Sequence, residues 1–414
     1  MMKILTFTSL FPNSLQPNYA GFVLQRTSHL AKPRGNHVEV VAPLPYIPAF
    51  LRRTAKGRMA SIPSVETIAG LRVHHPRYPL LPKISMPLHA LLMYSGCHGV
   101  VRDLHREHPF DCIDAHYVFP DGVAALLIGR SLRVPVSLTA RGTDIHTFSR
   151  FFTIRPQIRW ALRNADAVAA VSSSLARIIL QLEPSLPPPV EIGNGVDTTR
   201  FFPKDRAVAR KMIGVDQDAK LIVSVAALRH VKGCDLLVRA ASLLKASTPG
   251  CRLLFVGDGP ELAALRRLAA ELSCADVCTF VGPVNHEDLR HYYSAADVSC
   301  LPSRNEGCPN VVLESLACGT PVVATRVGAV PEILADTETG VVVDPTSESI
   351  HQGLRFAMGR EWNRAVIASK AKLRSWEQVA EQAEQFLLRS IRKAPGHSHE
   401  ATAYEDSKSL EVNR

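Results

Sequence analysis

Residues 297–325 read DVSCLPSRNEGCPNVVLESLACGTPVVAT. A short apolar run, VSCL, gives way to a polar loop, then to an apolar-periodic segment closed by Gly319, then to a second β-branched run, VVAT. This is strand, loop, helix, strand, the repeating unit of a parallel sheet. Pro309 suits the first helical turn and Gly319 the stop. Glu306 then stands in the loop ahead of the helix, and Glu314 on its second turn. Carboxylates so placed address separate parts of one elongated ligand. The helix start between them offers unpaired N–H groups and a positive dipole end suited to phosphate. Hydroxyls at both ends with phosphate in the middle describe a nucleotide sugar.

The same alternation runs through the whole chain. Strand candidates in the first half are KILTFTSL, VEVVAP, FDCIDAHY, VPVSLTARG and DAVAAVS. In the second half they are LIVSVAAL, RLLFVGDG, CTFVGP, DVSCLPS, TPVVATRVG and GVVVDP. Between the two sets lies EPSLPPPVEIGNGVD, whose proline and glycine content reads as an interdomain linker. The pattern predicts an α/β protein of two Rossmann-like, doubly wound domains facing a central cleft, with ligands at the carboxyl ends of the strands. The expected divisions are 1–190, 191–375, a helix over 376–393 packing back on the N-terminal domain, and a disordered tail over 394–414.

Of 414 residues, 46% are hydrophobic and 21% charged, an ordinary globular composition. No apolar run reaches the roughly 18 to 20 residues that span a bilayer. The opening MMKILTFTSLFP has one lysine, no small-residue cleavage site and a proline after a strand-like run, so it reads as a first strand and not a signal peptide. Nine cysteines without a CxxC pair give neither a disulfide framework nor a zinc signature. They read as reduced, small apolar residues, Cys274 and Cys278 included. Asp216-Gln217-Asp218 is a D-x-D triplet in a polar loop, for which no metal is expected. Charge is unevenly divided. Residues 1–190 hold 21 Lys+Arg against 10 Asp+Glu, a net +11, and residues 191–414 hold 27 against 28. The basic half points to an anionic partner.

The E-x7-E pair Glu306 and Glu314, followed by LACGTPVVAT, resembles the family-4 retaining glycosyltransferases of the GT-B fold. The resemblance extends over VSVAALRHVKGCDLLVRA, VGDGPELAALRRLAAEL, NGVDTTRFFP and WALRNADAVAAVSSSLARII, and so over nearly the whole chain. It implies transfer of a sugar from a nucleotide diphosphate, such as a UDP- or GDP-sugar, to an acceptor hydroxyl, without a metal cofactor. Glu306 would bind hydroxyls of the donor sugar and Glu314 those of the ribose. Gly307 and Cys308 would offer backbone N–H groups to the sugar. Pro309 departs from the commoner E-G-F-G and has no N–H to give, which leaves Asn310 and Val311 as donors. Lys232 in HVKG would hold the diphosphate as a point charge. The family's arginine five residues before that lysine is Ala227 here, and Arg229 is its candidate substitute if the strand continues that far.

In the N-terminal half, Gly21 in PNYAGFVLQR lets backbone approach a phosphate closely, and the resemblance has it meet the diphosphate from across the cleft. His116, Arg141 and Asp144 fall at strand ends as acceptor-side residues. Many family members have histidine where Arg141 stands, and arginine cannot serve as a base. His116 is either a pocket residue or a structural one, and Arg141 either meets a phosphate or acceptor charge or pairs with Asp144. Arg52, Arg53, Lys56 and Arg58 beside Phe50, Leu51 and Met59 suit a segment on an anionic membrane. With the resemblance, this places the protein in the cytoplasm at the inner face of the membrane, acting on a lipid-linked acceptor in surface polysaccharide assembly. Two rivals share features of the sequence: a nucleotide-sugar epimerase of the same architecture, and a basic nucleic-acid-binding protein. No aromatic-interleaved sheet or helix-turn-helix supports the latter, so no nucleic-acid partner is expected.

Overall fold

The computed structural model describes residues 1–17, 19–31, 34–46, 57–80 and 85–393. The chain forms two compact units, Met1–Gly193 together with the chain from Val379, and Asn194–Gln378. The first unit holds strands β1 (Lys3–Phe7), β2 (His37–Val41), β3 (Leu44–Pro45), β4 (Val65–Ile68), β5 (Leu71–His74), β6 (Arg77–Tyr78), β7 (Cys112–His116), β8 (Val136–Ala140), β9 (Ala167–Ala170) and β10 (Val190–Glu191). Eight of them form a sheet in the order β10-β9-β8-β7-β1-β2-β5-β4, and β3 pairs with β6 apart from it. All five residues of β7 and of β8 are buried, as expected of parallel strands covered on both faces. That burial explains their apolar runs, and it makes the polar members of β7, Asp114 and His116, costly unless partnered.

Several short strands differ from the sequence reading. β4 and β5 form the sheet's one antiparallel pair, closed by Ala69 and Gly70, both left-handed at φ 51° and 79°, the conformation a two-residue hairpin turn requires. β4 is half exposed and β5 carries Arg72, so neither reads as an apolar run. β10 is a correction: Val190 and Glu191 lie inside the stretch taken for linker, yet they pair with β9 at the sheet edge. Two residues between prolines and a glycine carry too little pattern to announce a strand.

The second unit is built from β11 (Lys220–Val225), β12 (Cys251–Val256), β13 (Cys278–Gly282), β14 (Val298–Leu301), β15 (Val322–Thr325) and β16 (Gly340–Val343). Their order is β13-β12-β11-β14-β15-β16, all parallel. Counted from β11 this is 3-2-1-4-5-6, the order of a doubly wound dinucleotide fold, whose direction of winding reverses between β11 and β14. In the first unit the reversal falls between β1 and β7. Ligands of such sheets collect outside the strand carboxyl ends at that reversal.

The expected divisions fall after 190 and 375; the units divide after Gly193 and Gln378. The final helix, Trp376–Lys393, belongs to the first unit from Val379 onward. There Glu384 accepts from Arg34 Nε at 2.6 Å and from Asn36 Nδ2 at 3.0 Å. The tail from 394 and residues 50–56, with Phe50, Leu51, Arg52, Arg53 and Lys56, lie outside the described residues. Among the described residues no helix is long and apolar enough to cross a membrane.

Candidate active site

The loops leaving β11 and β14 meet at the winding reversal of the second unit. β11 ends at Val225 and its loop closes in a short 3₁₀ turn, His230–Lys232. Gly233 follows at φ +63°, and a Cβ there would meet the carbonyl oxygen of Pro302 at 2.0 Å. Only glycine lets the lysine loop lie this close to the exit of β14. The result is a direct contact: Lys232 Nζ lies 2.7 and 3.0 Å from the two oxygens of Glu306. The lysine side chain is 28% exposed and the glutamate 10%, so the pair stands at the surface without being fully solvated. Ser303, itself buried, donates to Glu306 Oε1 at 2.6 Å. Its carbonyl in turn receives the hydroxyl of Thr325 at the end of β15.

Arg304 fastens the two loops together. Its backbone N–H donates to Val231 O at 2.8 Å. Its guanidinium donates to His230 O at 2.9 Å and to both oxygens of Asp235 at 2.7 and 2.6 Å. Asp235 opens the helix Cys234–Ser247, where a carboxylate is favoured by the N–H groups and the dipole. A planar fork is what makes such a two-point grip possible. Sequence reading passes over Arg304, because a lone arginine in a loop carries no signal of what it spans.

The helix after β14 runs Asn310–Ala317. Pro309 is its cap residue, extended at φ −79° and ψ 110°, and not part of the first turn. The backbone N–H groups of Asn310 and Val311 have, among the described residues, no protein acceptor. The Asn310 side chain accepts from Asn194 Nδ2 at 2.8 Å, and the same amide donates to Cys308 O at 3.0 Å. The Oδ1 of Asn310 is thereby engaged, which leaves its backbone N–H and its Nδ2 amide as donors for a ligand. Gly307 is held by Ala329, whose N–H donates to its carbonyl at 2.9 Å.

Glu314 lies on the second turn, 6% exposed. Tyr293, wholly buried, donates its hydroxyl to Oε2 at 3.0 Å, and His286 Nε2 sits 2.9 Å from Oε1. Arg200 reaches His286 Nδ1 at 2.9 Å, which makes that nitrogen the acceptor and leaves the proton on the side of Glu314. In HYYSAAD a tyrosine on an apolar helix face reads only as core. Arg229 is exposed and has, among the described residues, no ion-pair partner. β11 stops four residues before it, so strand alternation does not orient it.

In the first unit a buried polar chain runs across the ends of β7 and β8. Arg26, 1% exposed, lies 3.3 Å from Asp114, which is fully buried, and donates to Thr139 Oγ1 at 3.2 Å. His116 Nε2 is 3.2 Å from Asp114 Oδ2, within ion-contact distance though poorly aligned for a hydrogen bond. Arg141 Nη2 donates to His116 Nδ1 at 2.7 Å. Burial alone would raise the Asp114 carboxyl, but Arg26, His116 and Arg141 outweigh it and hold it below the usual carboxylate range. Burial, helped by Arg141 and opposed by Asp114, pushes His116 down to about 4. His116 is a neutral structural bridge, and with no exposure it does not line an acceptor pocket.

Asp144 is likewise corrected. It is fully buried and accepts backbone N–H groups of Val118, Arg141 and Gly142 at 2.8, 3.1 and 2.7 Å, while the Arg141 guanidinium is directed to His116. Of the three expected acceptor-side residues only Arg141 reaches the surface, its guanidinium 5.1 Å above the ring of Phe22. Gly21 opens the helix Gly21–Ala31, and among the described residues nothing lies within 4 Å of a Cβ added to it. Arg26 had a legible signal, since it occupies the same helical stripe as Val23, Thr27 and Leu30.

Asp121, fully buried, accepts from Ser9 N–H and, at 3.1 Å, from Ser9 Oγ. Burial pushes its carboxyl up to about 7 against the pull of those hydrogen bonds. The native state then holds a proton that the unfolded chain gives up near pH 4. Stability from this group is therefore lost as pH rises from about 4 to about 7, by at most about 1.4 kcal/mol per unit. Replacing Asp121 by Asn removes this loss, so the stability of the variant relative to the parent should rise across that window and be flat above it, measured by urea unfolding. A difference independent of pH would remove the shifted carboxyl.

Residues 22–200 match the family model Glycosyltransferase Family 4, and residues 205–374 match Glycosyl transferases group 1. A D-inositol 3-phosphate glycosyltransferase of Mycobacteroides abscessus is 36% identical over 383 residues, covering 87% of this chain and 82% of its own. The chain belongs to glycosyltransferase family 4. A Bacillus subtilis relative, TuaC, named provisionally as a teichuronic acid biosynthesis glycosyltransferase, is 28% identical over 377 residues, 88% of this chain and 92% of its own. Among solved structures, the Anabaena protein Alr3699/HepE in complex with UDP has a TM-score of 0.72 at 20% identity, covering 94% of this chain and 100% of that one. Sucrose-phosphate synthase from Thermosynechococcus elongatus gives 0.71 at 22% identity, covering 94% and 98%. The fold of this family 4 glycosyltransferase is GT-B.

Proposed function

We propose that this glycosyltransferase moves a hexose from a nucleoside diphosphate donor to an acceptor hydroxyl with retention at the anomeric carbon. The meeting of Lys232 with Glu306 at the winding reversal of the second unit carries the reading. A cation suited to a diphosphate and a carboxylate suited to sugar hydroxyls stand side by side there, with Glu314 one helix turn further on for the ribose. Gly307 and Cys308 line the sugar, and the N–H groups of Asn310 and Val311 face phosphate oxygens. Arg229, exposed beyond the end of β11, is a cation for phosphate oxygens, and Arg141, held against His116, is the cation on the acceptor side. In the reaction the bond from C1 to the diphosphate oxygen breaks, and the acceptor oxygen bonds to C1 from the same face. The acceptor's proton passes to the departing diphosphate. Lys232 and the helix amides, in place of a metal ion, stabilise the charge left on that group.

The acceptor in this reading is a lipid-linked glycan at the cytoplasmic membrane face, in surface polysaccharide assembly. The basic excess of the first half and the name of the Bacillus subtilis relative support it. The UDP complex of the Anabaena structure makes UDP-sugars the first donors to try.

A thermal-shift panel of nucleotide sugars tests the donor, because a ligand that prefers the native state raises the melting temperature. UDP- or GDP-sugars should raise it and free hexoses should not. Among the described residues nothing lies within 4 Å of a Cβ added at position 21. Gly21→Ala should therefore melt like the parent yet bind the preferred donor about tenfold more weakly, as expected if a methyl group displaces a close phosphate contact. Equal donor affinity in the alanine variant would take Gly21 out of the site.

A further inference from the structure

The turn ahead of the helix Arg155–Asn164 in the first unit leaves two phenylalanines in water. Phe152 is 90% exposed and Phe151 51%, and Leu88 and Leu91, around the start of the helix His89–Glu107, are 54% and 50% exposed. The two segments adjoin. Gln157 Nε2 donates to Pro87 O at 2.8 Å. Ring contacts pass from His89 through Phe119 and Phe148 to Phe151, at centroid separations of 6.3, 5.7 and 6.5 Å. Single exposed apolar residues are ordinary, but a group of large ones on adjoining segments marks a contact surface.

The surrounding charge says what kind of contact. No aspartate or glutamate occurs from Thr67 to Arg102 or from Ile145 to Ala165, and these two runs supply the patch. Arg159 and Arg163 turn to Glu183, at 3.1 and 3.6 Å. Arg150 and Arg155, on either side of the phenylalanines, are exposed and have, among the described residues, no acidic partner. A second copy of the chain packed on this face would set arginine against arginine. Aromatic rings in water flanked by unneutralised guanidinium groups instead match a boundary with acyl chains below and phosphate at the level of the cations.

We propose that Phe151, Phe152, Leu88 and Leu91, with Arg150 and Arg155, dock the protein on an anionic bilayer. The phenylalanines enter the acyl boundary and the arginines meet lipid phosphates. In sequence these residues are separate from the basic segment around residues 50–59. Through Phe148 it reaches Tyr117, at 6.1 Å, which directly follows His116 at the end of β7. The proposal does not depend on the donor reading, since vesicle binding is measured without any donor.

The test is flotation of the full chain with vesicles of phosphatidylcholine alone or mixed with phosphatidylglycerol. The parent should float with the mixed vesicles, less so as salt is raised, and not with phosphatidylcholine alone. The F151S/F152S double variant should lower partitioning about tenfold or more. The R150E/R155E variant should lower it about tenfold and abolish the preference for anionic lipid. R150E/R155E should melt as the parent does, because both arginines are exposed, and F151S/F152S a few degrees lower at most, because Phe152 is 90% exposed and Phe151 half so. Flotation of F151S/F152S equal to the parent, absence of binding by the parent, or a dimer in sedimentation that F151S/F152S dissolves would each overturn the proposal.

Discussion

Glu306→Gln should lower kcat by about a hundred- to a thousandfold while the protein melts within about one degree of the parent. Glutamine keeps the shape and still accepts the hydroxyl of Ser303, which the carboxylate takes at 2.6 Å. It lacks the negative charge that meets Lys232 at 2.7 and 3.0 Å, and the charge-assisted hydrogen bonds a carboxylate makes to sugar hydroxyls are the stronger kind. Removing one preorganised electrostatic contact from a reacting centre commonly costs two to three powers of ten. Donor affinity should change by no more than about threefold, because Lys232 and Glu314 remain and a freed ammonium is more available to the diphosphate. The comparison is steady-state kinetics with the donor selected by thermal shift, beside calorimetric affinity for the same donor. A glutamine variant within fivefold of parental kcat would sink the assignment of Glu306, whatever its affinity.

Asp114→Ala should destabilise the first unit by about 3–5 kcal/mol. The guanidinium of Arg26 is 1% exposed and Asp114 is its carboxylate partner, at 3.3 Å. Taking away the carboxylate leaves a buried cation uncompensated, and disturbs His116 and Arg141 further along the chain. The cause is separable from lost packing. The double variant R26M/D114L removes both charges and keeps apolar volume, and should recover most of the loss, since a buried pair is often replaceable by well-packed apolar residues. Urea unfolding followed by circular dichroism reads the effect, taking the transition that shifts, because the two units need not unfold together. A loss below 1 kcal/mol in Asp114→Ala would mean that the cation is satisfied elsewhere.

Both sheets were legible strand by strand where the strands are central. KILTF, CIDAH and VSLTA in the first unit, and LIVSV, RLLFV and VVAT in the second, are runs that nothing but a doubly covered parallel strand explains. Edge elements were not. β4, β5 and β10 pair on one side only or expose one face, and such strands carry polar residues freely. Lys232, Glu306 and Glu314 could be singled out because each follows a strand end at a short, fixed spacing within its own loop or helix. Arg304, Tyr293 and His286 could not, because their meaning lies in partners far along the chain. His116 ends β7, and of the two roles open to it the structure keeps the structural one; Asp144 lies in the short helix Thr143–His146 beyond β8 and is buried, not on an acceptor surface. Strand position says where a backbone ends, not whether a neighbouring helix covers it.

By itself the sequence determined the order of strands and helices, the two-unit organisation and the family, since each rests on patterns a few residues to a few tens of residues long. Only the tertiary structure decided which charges face one another. Arg26 meets Asp114 across 88 positions, Lys232 meets Glu306 across 74, and Arg304 meets Asp235 across 69. The reason is physical. Local sterics and hydrophobic period act along the chain, whereas the sign and distance of a charge's neighbour exist only once the winding of the sheet has brought separate loops to one edge.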